Sequence, residues 1–266
     1  MIRLKDLSIL ESKEALASIP QGKKLINTIN AHSFNTAKKD KLFAEALMKG
    51  DYLIPDGASV VKACHWLRAK SRPKERIAGW DLFEYEMGKL NEKHSENHNE
   101  NEQHNENHNE NEKHKENRKG RVMFMGSSEK VLELIRNRAK WVYPNLEVVT
   151  YSPPYKPVFT NDDNRAIIEA INAADPDLLW IGMTAPKQEK WTYEHWDELD
   201  IRCHVGTVGA VFDFFAGTYK RAPRWWQDHS LEWLYRLVKE PKRMWRRYVL
   251  GNPLFLWNVV KECARG

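Results

Sequence analysis

The chain has 266 residues, 41% of them apolar, and a net charge of +5, which suits one large domain or two small ones with a substantial core. No apolar run approaches the ~20 residues that span a bilayer, and the opening MIRLKDLSILESKE lacks the apolar centre of a signal peptide, so a cytosolic protein is expected. Three scattered cysteines, Cys64, Cys203 and Cys263, form no CxxC pair, which argues against a disulfide framework or a structural zinc site.

In chain order, residues 25–29 read as a short apolar strand carrying the polar run Asn27-Thr28-Ile29-Asn30. Ser33 or Asn35 can cap a helix expected to reach about Lys49. Residues 52–54 are a second strand, closed by Pro55-Asp56-Gly57. A helix follows, with Val60, Val61, Cys64 and Leu67 at helical spacing. Another starts near Gly79 and runs into residues 91–119. That stretch has no apolar residue and repeats every ten positions, aligning His94, His104 and His114. It cannot offset ordering entropy by burial, so a disordered, functionally neutral surface insertion is expected, with weak adventitious metal binding as the alternative. Next come strand 121–125, helix 129–142, strand 146–151, helix 162–174, strand 178–183, helix 187–199 and strand 202–208. After Gly217 the strands stop. Residues 221–265 read as all-helical, with Pro241 and Pro253 in first-turn positions.

This βαβα order implies an α/β fold: a mostly parallel, doubly wound, Rossmann-like sheet with helices on both faces. A C-terminal all-helical appendage completes it. The expected division is a core over 1–220, with the 91–119 insert, and an appendage over 221–266. From Lys220 onward there are eleven Lys and Arg against four Asp and Glu, leaving about −2 for the rest of the chain. Five of the eleven Trp lie in this segment as well (Trp225, Trp226, Trp233, Trp245 and Trp257). An acidic partner should therefore meet the tail, and amphipathic aromatics mixed with cations suit a membrane–water boundary.

Four strand ends carry polar signals, and a parallel sheet gathers such ends along one edge. The most informative is Ala185-Pro186-Lys187-Gln188-Glu189-Lys190-Trp191, where the apolar run ending at Gly182 meets a helix start. Free N–H groups and the helix dipole favour an anion there, with Lys187 adding charge and Gln188 a neutral donor. Asp56 sits at a strand end before a glycine. It suits a general base for a substrate hydroxyl, or a helix N-cap, or both. Gly206 and Gly209 form a GxxG leading to Asp213, which suits a phosphate loop or close strand–helix packing equally. Asn161-Asp162-Asp163-Asn164 imitates a metal motif but better fits a helix start capped by Thr160 or Asn161. No metal-binding cluster is evident. Arg236, Arg243 and Arg246 fall at helical offsets of seven and three, an array suited to a diphosphate or phospholipid headgroup if one helix carries them, or else a solvated basic face.

These segments occur in order in one family. Thr28-Ile29-Asn30, Pro55-Asp56-Gly57, Glu75-Arg76-Ile77-Ala78-Gly79-Trp80-Asp81, Ala185-Pro186-Lys187-Gln188-Glu189, GTVGAVFDFFAG over 206–217, Lys220-Arg221-Ala222-Pro223 and Leu231-Glu232-Trp233-Leu234-Tyr235-Arg236 resemble the WecG/TagA/CpsF glycosyltransferases. The resemblance covers nearly everything outside the insert. It implies a UDP-N-acetylhexosamine donor such as UDP-N-acetylmannosamine and a polyprenyl-diphosphate-linked sugar acceptor. The implied setting is cell-surface polysaccharide synthesis at the inner membrane face. It implies an inverting reaction with no metal, no cofactor and no nucleic-acid partner. Asp56 matches the family's general base, while Thr28, Asn30, Gln188 and Arg76 match polar residues of its cleft. Arg236, Arg243 and Arg246 match tail arginines that close over the diphosphate. Gly57, Gly182, Pro186, Lys187, Gly206, Gly209 and Asp213 are the accompanying substrate-binding candidates. Two departures, Ser59 for a glycine after Asp-Gly-x and Thr184 before Ala-Pro-Lys-Gln-Glu, leave the sugar open.

A non-catalytic module docking nucleic acid or membrane through its basic aromatic tail is the main alternative. It leaves the polar strand ends unexplained. A nicotinamide oxidoreductase is disfavoured, since no GxGxxG follows the first strand.

Overall fold

The computed structural model describes residues 2–103, 119–229 and 231–264. Six strands make one parallel sheet: β1 Lys24–Ile29, β2 Tyr52–Pro55, β3 Gly120–Gly126, β4 Leu146–Tyr151, β5 Leu178–Gly182 and β6 His204–Thr207. Their spatial order is β2-β1-β6-β5-β3-β4, and every pairing is parallel. Period-two alternation decides the faces. Ile26, Val122, Phe124, Leu178 and Trp180 pack on one side, and Leu25, Met123, Met125, Leu179 and Ile181 on the other.

The first face is covered by α4 Gly79–Gln103, α5 Glu129–Val142 and α8 Ala210–Ala216, which contribute Phe83, Met87, Ile135, Phe212 and Phe215. The second is covered by α1 Ala31–Ala37, α2 Lys41–Lys49, α3 Ala58–Trp66, α6 Asn161–Ala174 and α7 Lys187–Glu194. The doubly wound α/β sheet expected from the sequence is therefore present. Among the described residues no helix is long and apolar enough to cross a membrane.

Several local expectations change. The single helix expected over 33–49 is two, because both Asn30 and Asp40 cap. Asn30 accepts from the Ser33 backbone in a reciprocal capping box, and Asp40 accepts from Phe43 N. Residues 91–103, expected to be disordered, continue α4. Residues 91–103 contain neither Gly nor Pro, and elongating an existing helix avoids the nucleation cost. Asn91 anchors the extension, its side chain and carbonyl accepting from Asn145 N and Nδ2 at 3.1 and 3.2 Å. Residues 104–118, the rest of that insert, lie outside the described residues. Helix α8 was not expected; Gly217, at φ +77°, ends it.

The tail comprises α9 Arg224–Asp228, α10 Glu232–Lys239, α11 Pro241–Trp245, a π-helical turn Arg246–Leu250 and α12 Gly251–Ala264. Pro253 lacks the N–H that would meet the Val249 carbonyl. The ladder accordingly widens, and Gly251 N reaches Arg246 O. The last helix is rooted in the core rather than detached. Phe255 and Val259 are buried with α1 and α2, Phe255 meeting Phe34 edge-on at 5.7 Å. Buried Glu262 accepts from Leu4 N at 2.8 Å and pairs with Lys38 at 2.9 Å.

Candidate active site

The crossover from β3 leads outward to β4 and that from β5 leads back to β6, so a topological switch point lies between β3 and β5. Two glycines bring the backbones together there. Gly126, at φ +122°, is in register with Gly182, and a Cβ on it would lie 2.4 Å from the Gly182 carbonyl oxygen. A cavity of about 910 Å³ opens along this carboxyl edge. Across the sheet its floor runs from Asp56 after β2, through Thr28 and Asn30 at the end of β1, Thr207–Gly209 at the end of β6 and Gly182–Ala185 at the end of β5, to Ser127 and Ser128 after β3 and Ser152 after β4. A second cavity of about 380 Å³ lies between α3 and the tail, lined by Gly57, Ser59, Lys62, Trp233, Tyr248 and Asn252 among others. Asn30, His32, Asp56, Arg76, Glu232, Arg236 and Arg247 line both. Asp56 thus stands in the wall between two chambers.

Local structure fixes this wall. Ile77 N donates to Pro55 O at 3.1 Å, and the Asp81 carboxylate accepts from Ala78 N at 2.8 Å, so the loop carrying Arg76 is pinned beside β2. Arg76 Nη2 lies 3.7 Å from Asp56 Oδ1 and donates to Glu232 Oε2 at 2.8 Å. Arg236 Nη2 donates to Glu232 Oε1 at 2.7 Å. Glu232 is 5% exposed and clamps a core arginine and a tail arginine together. Asp56 is not the cap of α3: Gly57 holds that position without a side-chain bond. Burial raises the Asp56 carboxyl above its ordinary value. Arg76 opposes that rise, Glu232 adds to it, and Arg236 and Arg247 oppose it. The side chain still keeps 31% of its surface exposed, and it lines both cavities. The arrangement is a protein-enclosed carboxylate that opens onto both cavities.

The arginines do not fall as the spacing suggested. Glu240, at φ −133° and ψ 62°, breaks α10 from α11, so Arg236 and Arg246 share no helix. Arg246 is exposed, 5.7 Å over the Trp245 ring, and lines neither cavity. The π turn brings Arg247 into both. The Arg243 side chain lies outside the described residues. Arg221, 5.3 Å over the Trp80 ring, also lines the larger cavity. Lys187 lines it too, but its ammonium donates to Lys156 O at 2.5 Å and sits 3.5 Å over the Phe159 ring. Pro186 is the N-cap residue of α7. Gly206 serves packing, since a Cβ there would meet the Trp180 ring at 2.2 Å. Gly209 faces the cavity, where a Cβ would lie 3.0 Å from Gln188 Oε1. Asp213 lines the larger cavity and accepts from Thr218 Oγ1. Thr160 caps α6 with Asp163, and Asp163 pairs with Lys156 at 2.5 Å, so the Asn-Asp-Asp-Asn run is a helix start. Among the described residues no group of three or more His, Cys, Asp or Glu is placed to hold a metal ion.

Among the described residues, five buried side-chain polar atoms have no hydrogen-bond partner: Arg76 Nε, Arg221 Nε, Arg247 Nε, Gln188 Oε1 and Glu189 Oε2. All five residues line the larger cavity. An unmet buried polar atom costs about 1–3 kcal/mol, so their concentration at one cavity marks a surface built to be completed by a ligand. Arg221, Arg247, Glu232 and Glu189 were not singled out as site residues from the sequence. Arg221, Glu189 and Glu232 lay inside the quoted motifs, whereas Arg247 had no signal that separated it from Arg246.

Residues 2–97 and 110–266 match the model of the glycosyl transferase WecG/TagA/CpsF family. The N-acetylglucosaminyldiphosphoundecaprenol N-acetyl-beta-D-mannosaminyltransferase of Bacillus subtilis (strain 168) is 28% identical over 90% of this chain and 79% of its own length. The enzyme of the same name from Bacillus spizizenii is 29% identical over 89% of this chain and 79% of its own. That from Staphylococcus aureus (strain MW2) is 25% identical with the same coverage. The chain is therefore a glycosyltransferase and belongs to the WecG/TagA/CpsF family.

Proposed function

We propose that this enzyme moves an N-acetylhexosamine, N-acetylmannosamine as in its relatives' names, from a UDP-sugar to a polyprenyl-diphosphate-linked N-acetylglucosamine. The reaction inverts the anomeric centre and needs no bound metal. The observation that carries this reading is the place of Asp56 in the common wall of two cavities, flanked by arginines. A single displacement needs the acceptor hydroxyl and the leaving group on opposite sides of the sugar carbon. The larger cavity suits the donor: from β2 to β4 it crosses five strand spacings of about 4.8 Å each, room for a sugar, a diphosphate and a nucleoside in line. The smaller cavity suits the acceptor head, with Lys62 and the uncapped start of α3 on one side and tail aromatics on the other.

In the reaction the Asp56 carboxylate takes the acceptor hydroxyl proton while that oxygen attacks C1 of the sugar. The bond from C1 to the β-phosphate oxygen breaks, and UDP leaves with the electron pair. Arg236, Arg247, Arg221 and Arg76 supply positive charge where the leaving diphosphate develops negative charge. That supply is what supports a metal-independent reading. The exposed Trp225, Trp245, Leu250, Leu256 and Trp257 support a tail that meets the inner face of the plasma membrane, where a lipid-linked acceptor would reside. The reading keeps residues 1–220 as the catalytic core and 221–266 as the membrane-facing segment, with the enzyme on the cytoplasmic side.

The test is turnover of a UDP-sugar panel with a lipid-diphosphate N-acetylglucosamine acceptor. Asp56→Asn is expected to lower kcat by about 10²–10⁴-fold while UDP affinity stays within about threefold of wild type. Full activity in that variant refutes the base assignment.

A further inference from the structure

The ladder between β1 and β6 stops short of the larger cavity. Its last register pair is Ile26 with Gly206. By contrast, β1 stays paired with β2 as far as Ile29 and Pro55, and β6 stays paired with β5 as far as Ile181 and Thr207. Val208 N then donates to Ile181 O at 3.1 Å, so the chain after β6 still follows β5. The sheet therefore parts beneath the cavity floor. One half carries Asp56 and, through the bond from Ile77 N to Pro55 O, the Arg76 loop. The other carries the ends of β6, β5 and β3.

One buried side-chain bond spans the parting. Thr207 Oγ1 donates to Asn27 Oδ1 at 2.8 Å, both residues being fully buried. Asn27 Nδ2 donates in turn to Ala46 O of α2 at 3.1 Å. Gly50 makes room for that amide, since a Cβ there would lie 2.6 Å from Asn27 Nδ2. Asn27 lines neither cavity, so its effect on a ligand there must pass through the backbone. The bond also fixes a length. A hydroxyl and its acceptor oxygen stand about 2.8 Å apart, whereas apolar atoms pack at about 3.5–4.0 Å. The pair thus holds the two halves about 1 Å closer than apolar packing would, and a displacement of about 1 Å at reacting groups costs on the order of 10²-fold in rate. We propose that Asn27 and Thr207 are positioning residues: a buried tie that sets the distance between the half bearing the base Asp56 and the half bearing the donor cleft.

The inference rests on the reading of Asp56 as base, and the experiment keeps the two apart. It measures kcat at saturating UDP-N-acetylmannosamine and acceptor, UDP affinity by calorimetry, and urea unfolding, for Thr207→Val, Asn27→Leu, their double variant and Thr207→Ser. Each of the first two leaves a buried polar group unpaired and should lower stability, whereas the double variant removes both partners and should regain much of the loss. The tie predicts a different pattern for turnover. In both single variants kcat should fall about 10–100-fold, and it should stay low in the double variant, where apolar packing widens the gap. Thr207→Ser keeps the hydroxyl and should hold kcat within about threefold of wild type, and UDP affinity should stay within about threefold in all four. If kcat recovers with stability in the double variant, or the single variants keep wild-type kcat, or Thr207→Ser loses as much as Thr207→Val, the bond serves stability alone and the proposal is overturned. A parallel loss of UDP affinity and kcat also overturns it, since the damage then lies in the donor cleft rather than in the spacing. In all these cases the reading of Asp56 stands; full activity in Asp56→Asn removes that reading and the tie's role together.

Discussion

Replacing Glu189 by Gln should remove a pH-dependent burden on folding. The carboxyl is 1% exposed, and desolvation raises it from 4.5 to about 7 against the opposing bonds from Gln188 and its own backbone. Between those values the folded protein holds a proton that the unfolded chain has already released. The group therefore leaves stability intact below about pH 4.5 and lowers it as pH rises through about 7, after which the loss levels off. At about 1.4 kcal/mol per tenfold change in proton affinity, the full loss is about 3 kcal/mol. Glutamine has the same shape and keeps the acceptor for Gln188 Nε2, but it does not titrate. Urea unfolding of wild type and Glu189→Gln at pH 5 and pH 8.5 provides the measurement. The difference in stability between the two proteins should move by about 2.5 kcal/mol in the variant's favour on going from the lower to the higher pH, since part of the loss is already present at pH 5. Comparing pH values cancels any constant cost of the new amide nitrogen. A difference that does not change with pH would mean that Glu189 is ionised in the folded state at little cost, and the desolvation argument would be wrong.

Arg247→Ala should reduce kcat/KM about 10–100-fold, the loss of a charge-assisted contact worth about 1.5–3 kcal/mol, whereas Arg246→Ala should change it less than threefold with a short-chain acceptor. Equal effects would mean that the π turn does not set which arginine faces the cleft. Glu232→Gln removes one carboxylate that raises Asp56, so the acid limb of the kcat–pH profile should move to lower pH; a shift to higher pH would refute that electrostatic assignment. Replacing exposed Trp257 and Leu256 by Ser should weaken sedimentation with anionic vesicles several-fold while leaving turnover of a short-chain soluble acceptor within about twofold. Undiminished vesicle binding would remove these residues from the membrane-facing surface.

Much of this architecture was legible in the sequence, because strand alternation, glycine-bounded turns and cap residues are local signals. The boundaries of α5 and β4 needed no correction. Asp56, Thr28, Asn30 and Gln188 come together because a parallel sheet aligns its strand ends, a consequence of topology that βαβ order already implies, while Arg76 joins them from the loop pinned beside β2. What failed were statements that assumed a helix to be continuous or a residue to act alone. The array of Arg236, Arg243 and Arg246 assumed one helix, and the break at Glu240 with the π turn before Pro253 exchanged Arg246 for Arg247. Gln188 read as a donor until its neighbour was seen to take its amide.

The tail shows the same division. Its charge and tryptophans were visible in composition, yet deleting 221–266 would also strip Phe255, Val259 and Glu262 from the core, so point substitutions are the sound probe of its role. The order of apolar and polar residues along the chain determined the sheet, the faces of its helices and the polar character of one edge, since each follows from periods of two and 3.6 residues. Only the tertiary structure decided that Asp56 divides two cavities, that Glu232 ties the tail to the core, and that the Gln188 amide is spent on Glu189. Those facts depend on distances between residues as many as 156 positions apart, and no local pattern encodes them.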